Sequence, residues 1–489
     1  MILDFNKKFA LFIALSISIL SNAQNETDVL RYLNNSPFGT ARVSSMAGSF
    51  GALGGDVTTA LINPAGIGIY RKRELSLTPG FSFNNVNSNS EGESALSTMN
   101  KFIFSNVGFV NSWSSKDSKN FYLNYSFGYN KTLDFNRNSS VSYYNYESSM
   151  LFSFTDRAFG IPSGELANYD PFSSYLAYET YLIDAQMDTP VYYTTQPLYE
   201  DSFSGVYQSN SVTETGSGGD LFFNLALALD EKVYLGATMT ILLGNYEMNS
   251  SFSENTINDS LLLNRFSFNY NQKSTFSGFD LKLGVIVKPD DWLRIGLAWH
   301  LPYYISIEDE FSTSVMSQWK DGDLITMASP DGSISYDLKH PGKWILSVAL
   351  VKGTTGLINI GFEWLNYRAA EFSSEDFDFS PENSSIEAAL RNTITARVGG
   401  ELWFGRYNIR GGYALRQDPY SHSENRVKDF YNTLSAGAGM VSDNNFFINF
   451  SFSYKEGGAS YYPYGKDIAP IIKDELNIYE LLLSIGVRF

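Results

Sequence analysis

The sequence predicts an all-β fold, a transmembrane antiparallel β-barrel of fourteen strands, and three observations predict it. The chain opens on a secretory leader, its later segments alternate apolar and polar residues with a period of two, and its short connections alternate with long ones. Membrane barrels need all three, because they are exported, face lipid on one side and lumen on the other, and return through turns at one end and loops at the other.

The leader comes first. Lys7 and Lys8 precede an apolar run from Phe9 to Leu20 broken by Ser16 and Ser18, and Ser21-Asn22-Ala23 supplies the small residues that signal peptidase requires. Residues 1–23 are therefore expected to be a signal peptide cleaved after Ala23. The run is too short for the roughly 20 apolar residues of a spanning helix, and no later stretch is long and apolar enough.

Composition narrows the class. Aromatic residues make up 16% of the 489-residue chain and charged residues only 18%, against about 25% charge in an ordinary soluble domain. There is no cysteine, which excludes disulfides, thiol nucleophiles and cysteine-based metal sites. The formal charge of -17 argues against a nucleic-acid partner, which needs a basic surface. His300, His340 and His422 are scattered without metal-ligand spacing, and nothing places a serine opposite a histidine. No enzyme activity, metal or cofactor is expected.

The alternation is clearest near the C-terminus. Tyr479, Leu481, Leu483, Ile485, Val487 and Phe489 share one face, opposite Glu480, Leu482, Ser484, Gly486 and Arg488. Phe446, Ile448, Phe450, Phe452 and Tyr454 alternate with Phe447, Asn449, Ser451, Ser453 and Lys455. The strand ending on Phe489 is the expected contact of the barrel-assembly machinery, and outer-membrane lipid is the expected neighbour of the apolar face.

Connections set the strand count. Short ones are read at 114–119, 230–232, 289–291, 353–356, 405–407 and 442–445. Longer polar loops are read near 86–100, 136–218, 254–265, 311–333, 374–388, 418–428 and 457–475. These thirteen connections join fourteen strands beginning near residues 74, 101, 120, 219, 232, 266, 292, 334, 357, 389, 407, 429, 446 and 476. An even count puts both termini at the periplasmic end of a barrel in the outer membrane of a Gram-negative bacterium. The loop at 136–218 carries Pro162, Pro171, Pro190 and Pro197 with much tyrosine, and so long a connection is expected to be locally folded, with a short helix within Gly164–Ile183.

Residues 24–73 are not strand-like. The run Ser44–Tyr70 is rich in Gly and Ala and turns at Asn63-Pro64. No Gly-Lys-Ser/Thr follows its glycines, so it is not a phosphate loop. Gly48–Gly51, Asp56 and Asn63-Pro64-Ala65-Gly66, followed by Glu74-Leu75-Ser76-Leu77-Thr78-Pro79-Gly80, resemble the N-terminal hatch and first strand of the FadL/TodX/OmpP1 family of outer-membrane transporters. Gly284, Pro289, Arg294-Ile295-Gly296 and Pro302, then Pro341, Trp344 and Gly361–Trp364, resemble two of the family's mid-barrel hairpins.

The resemblance implies a lumen plugged by an N-terminal hatch, with Asn63, Pro64, Ala65 and Gly66 as hatch residues. It also implies a hydrophobic small-molecule ligand, such as a long-chain fatty acid or an aromatic hydrocarbon, that enters from outside and leaves sideways at a kink in the third strand. Gly128 is the candidate for that kink, because glycine weakens a strand and marks bulges; an ordinary lumen-facing glycine is the other reading. Arg391, Arg397, Arg410 and Arg416 are read on the inward face, as head-group ligands or as lumen charges paired with acids such as Glu401. Trp299, Trp344, Trp364 and Trp403 are expected in interfacial girdles. A structural role in a protein secretion system is the alternative function, and a general porin is the third.

Overall fold

The computed structural model describes residues 26–33, 39–114, 121–186, 189–196, 203–423 and 426–489. The expected signal peptide and most of the first short turn lie outside the described residues. Fourteen antiparallel strands close into a barrel among the described residues. They are β1 Glu74–Ser90, β2 Glu93–Ser114, β3 Phe121–Asp134 continued by Arg137–Asn145, β4 Val206–Leu229, β5 Val233–Thr256, β6 Leu263–Asp290, and β7 Leu293–His300 continued by Tyr303–Trp319. The circuit continues with β8 Gly332–His340 and Lys343–Lys352, β9 Gly356–Asn366, β10 Asn392–Phe404, β11 Tyr407–Gln417, β12 Phe430–Val441, β13 Phe446–Tyr461 and β14 Ile472–Arg488. Pairing of β14 with β1 from Glu74↔Arg488 to Asn89↔Lys473 closes the ring. Closure leaves no unpaired edge in hydrocarbon, where an unsatisfied backbone group costs several kcal/mol.

The outward face reads as the alternation demands. Leu221, Phe223 and Leu225 of β4, Met239, Ile241 and Leu243 of β5, and Ile394, Val398 and Leu402 of β10 are all exposed. Their neighbours Asn224, Thr238, Thr240, Thr393, Thr395 and Glu401 are buried inside. Trp344 and Trp364 also face outward, and Trp299 stacks on Trp344 at 5.1 Å. Trp403 departs from the girdle reading: it packs inward against the cluster formed by Val43, Met46 and Phe50 with Ala349 and Leu357 of the wall, because its parity is that of Glu401.

Several connections are shorter than the sequence reading: Val206 to Gly218 and Phe311 to Trp319, expected in loops, are paired strand. Residues 86–100 form no long loop: β1 and β2 stay paired to Ser90↔Glu93, and the chain reverses at Glu91 and Gly92, both at positive φ (49° and 82°). Positive φ at both central residues is the hairpin turn that matches strand twist. Asn- and Ser-rich strand extensions above the lipid band look like loop in sequence, because they lack the apolar face that lipid imposes.

The loop between β3 and β4 is folded. Helices α1 Met150–Ala158 and α2 Ser174–Glu179 lie in it, the second inside the stretch expected to hold a helix. Leu151, Phe154, Leu176 and Leu182 pack onto Phe252, Phe266 and Val315 of the wall, and Ser317 Oγ donates to the Thr180 carbonyl at 2.8 Å. The loop thus forms a dome on the long-loop end.

Gly128 sits in unbroken pairing, opposite Gly108 on one side and Phe222 on the other. The break in β3 lies at Phe135 and Asn136, just past a register shift between Lys131 and Leu133. The glycine that accommodates it is Gly216 of the neighbouring strand, at φ 120°, whose carbonyl receives Phe135 N–H at 3.2 Å. What Gly128 supplies is closeness, since a Cβ there would stand 2.2 Å from the Val107 carbonyl oxygen. Gly128→Val is therefore expected to destabilise the barrel by about 1–3 kcal/mol through overpacking, read as a lower temperature for loss of heat-resistant mobility on gels.

Candidate functional site: the plugged lumen and its wall window

The plug is built from three short pieces. Helix α3 Ala41–Ser44 is capped by Thr40, and two 3₁₀ turns, Val57–Leu61 and Pro64–Ile69, are capped by Asp56 and Asn63. Asp56 joins two pieces, accepting from Thr40 Oγ1 at 2.7 Å and from Thr58 Oγ1 at 2.7 Å. Side-chain caps of this kind satisfy the amides that a helix start leaves open.

Each residue of Asn63-Pro64-Ala65-Gly66 has a physical reason. Asn63 Oδ1 accepts from Ala65 N–H, while its Nδ2 donates to the Gly51 carbonyl at 2.6 Å and to the Val285 carbonyl of β6 at 3.2 Å. Pro64 takes the first helical position, where its missing N–H costs nothing. Ala65 is fully buried against Ala228, Tyr234 and Ile286. A Cβ on Gly66 would meet Thr59 at 2.8 Å.

The wall is shaped to receive this plug. Inward Cβ atoms at Gly236, Gly284, Gly296 and Gly412 would lie 2.0–2.3 Å from Pro64, Asn63, Gly51 and Met46 respectively, so only glycine lets the two backbones approach. Between the glycines stand donors. Asn124 donates to the carbonyls of Ile67 and Tyr70, Thr238 to Ala60, Arg294 to Leu53 and Ser105 to Gly39. Arg42 of α3 anchors the other side, with Nη2 2.8 Å from Glu401, whose second oxygen lies 2.8 Å from Arg410 Nη2.

The four predicted arginines do not form one cluster. Arg397 pairs with Glu363 at 3.1 Å beside Lys343, and Arg416 lies over the Tyr431 ring at 5.3 Å; both line one cavity. Arg410 belongs to the plug seat through Glu401. Arg391 precedes β10 and donates to the Asp418 carbonyl in the loop between β11 and β12. His300 lies 3.1 Å from the Ile62 carbonyl, and His340 Nδ1 accepts from Gly342 N–H. Among the described residues no group of His, Asp or Glu is arranged to hold a metal.

Sequence reasoning missed a further helix, α4 Glu26–Leu33, inside the upper lumen. Glu26 and Asp28 occupy its first turn and Arg31 its last, as the helix dipole favours. Tyr32 packs edge-on against Phe276 at 5.1 Å and Phe135 at 6.2 Å, and the Arg31 guanidinium sits 4.1 Å over the Tyr246 ring. The available signal was an acidic first turn and a basic last turn around Val29, Leu30 and Leu33 at helical spacing.

This helix separates two cavities. The upper one, about 540 Å³, lies beneath the dome and combines an aromatic wall of Phe252, Phe268, Phe311, Phe377 and Phe379 with charged groups that include Arg31, Arg137, Arg157, Asp170 and Glu214. The lower one, about 250 Å³, lies on the other side of the helix and carries Lys343, Arg397, Arg416 and Lys455 beside Glu363 and Glu480; a smaller one of about 100 Å³, sharing Lys343, Glu363 and Arg397, adjoins the plug at Phe50, Gly51 and Ile62. The lower cavity reaches the wall at Asn84, Leu133, Phe135 and Asn136, where β3 is interrupted. The ladder between β2 and β3 stops there at Asn106↔Asn130. Beyond it, among the described residues, the two strands are joined by side-chain donors instead of a ladder, Ser97 Oγ lying 3.1 Å from Ser140 Oγ and Asn138 Nδ2 donating to the Thr98 carbonyl at 3.5 Å. The result is a gap in the backbone ladder of the wall, a window in that sense, beside buried Lys131 and Leu133 and bridged on the inside by the hydrogen bond from Asn84 Nδ2 to the Asn136 carbonyl.

With this geometry in view, solved structures can be compared. A Pseudomonas aeruginosa FadL homologue superposes with a TM-score of 0.56 at 12% identity, covering 93% of this chain and 99% of that one. The chain has the fold of the FadL and TodX outer-membrane transporters. The Pseudomonas putida toluene transporter TodX gives 0.52 at 11% identity, covering 93% and 99%. The Ralstonia pickettii toluene transporter TbuX gives 0.50 at 10%, with the same coverages. No protein-family model and no curated protein sequence matches the chain.

Two outcomes follow from the site. Glu401→Gln strips the counter-charge from Arg42 and Arg410 within the plug seat. Breaking a buried pair costs about 3–5 kcal/mol, so the unfolding temperature is expected to fall and single-channel current noise to rise. The second concerns Glu254 of β5, well above Leu243, the last lipid-facing residue of that strand. It caps α1 by accepting from Ser149 Oγ and Met150 N–H, and takes Gln208 Nε2 at 3.0 Å. Burial pushes its carboxyl up from 4.5 to about 7, against the pull of those hydrogen bonds. A raised carboxyl favours the docked dome below pH 4.5 and loses that contribution as pH climbs through 7. Protection of residues 150–158 from hydrogen exchange, corrected for the base-catalysed intrinsic rate, should be lower at pH 8 than at pH 5, and Glu254→Gln should flatten the difference.

Proposed function

We propose that this protein is an outer-membrane channel for passive uptake of hydrophobic small molecules, gated by its N-terminal segment and emptied sideways into the bilayer. One observation carries the reading: the lumen holds a cavity with an aromatic wall under the dome, a second cavity beneath helix α4, and a window in the wall beside the second, while the straight path is filled by the plug. The structural neighbours named for toluene transport support a hydrophobic cargo.

The steps follow from elementary driving forces. An apolar molecule gains about 0.8 kcal/mol for each methylene that leaves water for the upper cavity. Helix α4 stands between it and the lower cavity, so passage requires the helix to shift. Movement from the lower cavity through the window into hydrocarbon is downhill for an apolar chain and needs no energy source. The plug excludes bulk water flow throughout, which distinguishes this barrel from a general porin.

The window can be tested without touching the cavities, because the chain has no cysteine of its own. The double variant Ser97→Cys and Ser140→Cys, oxidised, ties β2 to β3 at the rim of the window. A fluorescent fatty acid should still bind with unchanged affinity, while its delivery into liposomes falls at least about ten-fold and recovers on reduction. Undiminished delivery by the cross-linked protein would exclude the lateral route, and no binding of either fatty acids or aromatic hydrocarbons would exclude the cargo class.

A further inference from the structure

A groove of about 580 Å³ runs across the outer face of the barrel from β3 to β8, lined by Leu225, Ala237, Leu283, Leu297, Trp299 and Trp344. Ala237 makes it: across the ladder its neighbours are Leu225 and Leu283, and Leu283 in turn faces Trp299, which faces Trp344. One small residue in a row of large ones leaves a depression walled by the stacked tryptophans. The volume falls within the roughly 300–1,000 Å³ of ligand sites.

Its position decides the occupant. The groove is continuous with the lipid-facing band of Leu221, Phe223, Met239 and Ile241 above it. It starts near the short turns, since β3 begins at Phe121 and β5 at Val233, so it faces the leaflet on the side of the chain termini. The surface there is hydrocarbon-facing, and an acyl chain is the ligand whose shape and polarity match a long, shallow, apolar trough.

Behind the floor of the groove stands the plug. Gly236 and Gly284 line the groove with their backbones, and inward Cβ atoms on them would strike Pro64 and Asn63 at 2.3 and 2.0 Å. Asn63 Nδ2 also donates to the Val285 carbonyl in the same floor. A single layer of backbone therefore separates the groove from the Asn63-Pro64 turn.

We propose that this groove is a binding site for one acyl chain of a bilayer phospholipid, and that the bound lipid holds the wall against the Asn63-Pro64 turn and so stabilises the closed plug. Occupied, the groove stiffens the glycine-thinned wall; empty, the wall at Gly236 and Gly284 is free to flex and the turn loses its backing.

Full-length protein, delipidated in detergent and titrated with dipalmitoyl phosphatidylethanolamine, is read by native mass spectrometry. Wild type should retain one lipid that Ala237→Trp, which fills the groove, binds at least about ten-fold more weakly. Leu434→Trp, an outward substitution on β12 across the barrel, should leave that lipid in place. Leu297→Trp serves as a second filling variant, and a heat-shift gel establishes that each variant is folded. Added lipid should also slow hydrogen exchange at residues 60–69 in wild type but not in Ala237→Trp. Equal retention by wild type and both filling variants, or equal loss in Leu434→Trp, overturns the site. Retention with unchanged exchange at the turn overturns the link to the plug.

Discussion

A backbone without regular structure, carried inside a membrane barrel, has no bulk water to satisfy its amides and carbonyls, and the inner wall is organised around that fact. Irregular chain at membrane depth is tolerated only where protein or a lined cavity meets its polar groups. Here the wall supplies Asn124, Thr238, Arg294 and Ser105 to the plug carbonyls, and the plug supplies its own caps at Thr40, Asp56 and Asn63. The glycines that let these donors reach are part of the same solution. The Arg42, Glu401 and Arg410 group adds a charged anchor, each ion paired as burial requires.

From that packed plug the architecture of the lumen follows. With the lower lumen filled, open volume is left above it, divided by helix α4 into an upper cavity with an aromatic wall and a lower cavity of mixed charge. The lower cavity has one weak side, the stretch where β2 and β3 lose their ladder. Strand extensions beyond the lipid band carry the dome, which covers the upper cavity and rests on Phe252, Phe266 and Val315. Plug, helix and dome are thus stacked within one barrel lumen.

Much of the architecture was legible in the sequence because lipid imposes a strict period of two. The five described short turns and the strand count could be read from the spacing of the connections, and the lipid-facing residues of β13 and β14, such as Phe450 and Leu483, from the alternation. Above the lipid band both faces of a strand are wet, so β1 and β2 near Ser90 and Glu93 looked like loop. Trp403 shows the converse error, where residue type suggested a girdle and parity placed the ring on the plug.

Side-chain chemistry was legible only in kind. The sequence by itself determined a barrel of alternating strands and a small-residue segment that turns at Asn63-Pro64, because alternation and turn chemistry are local properties, while the plug was implied by the family resemblance. Tertiary structure alone decided that Arg397 and Arg416 share a cavity while Arg410 serves the plug and Arg391 a loop, since neighbours across a barrel are set by closure and register. It also decided that the third strand breaks at Phe135 and Asn136 opposite Gly216, not at Gly128. A bend depends on what the adjacent strand permits, and that adjacency joins residues far apart in the chain.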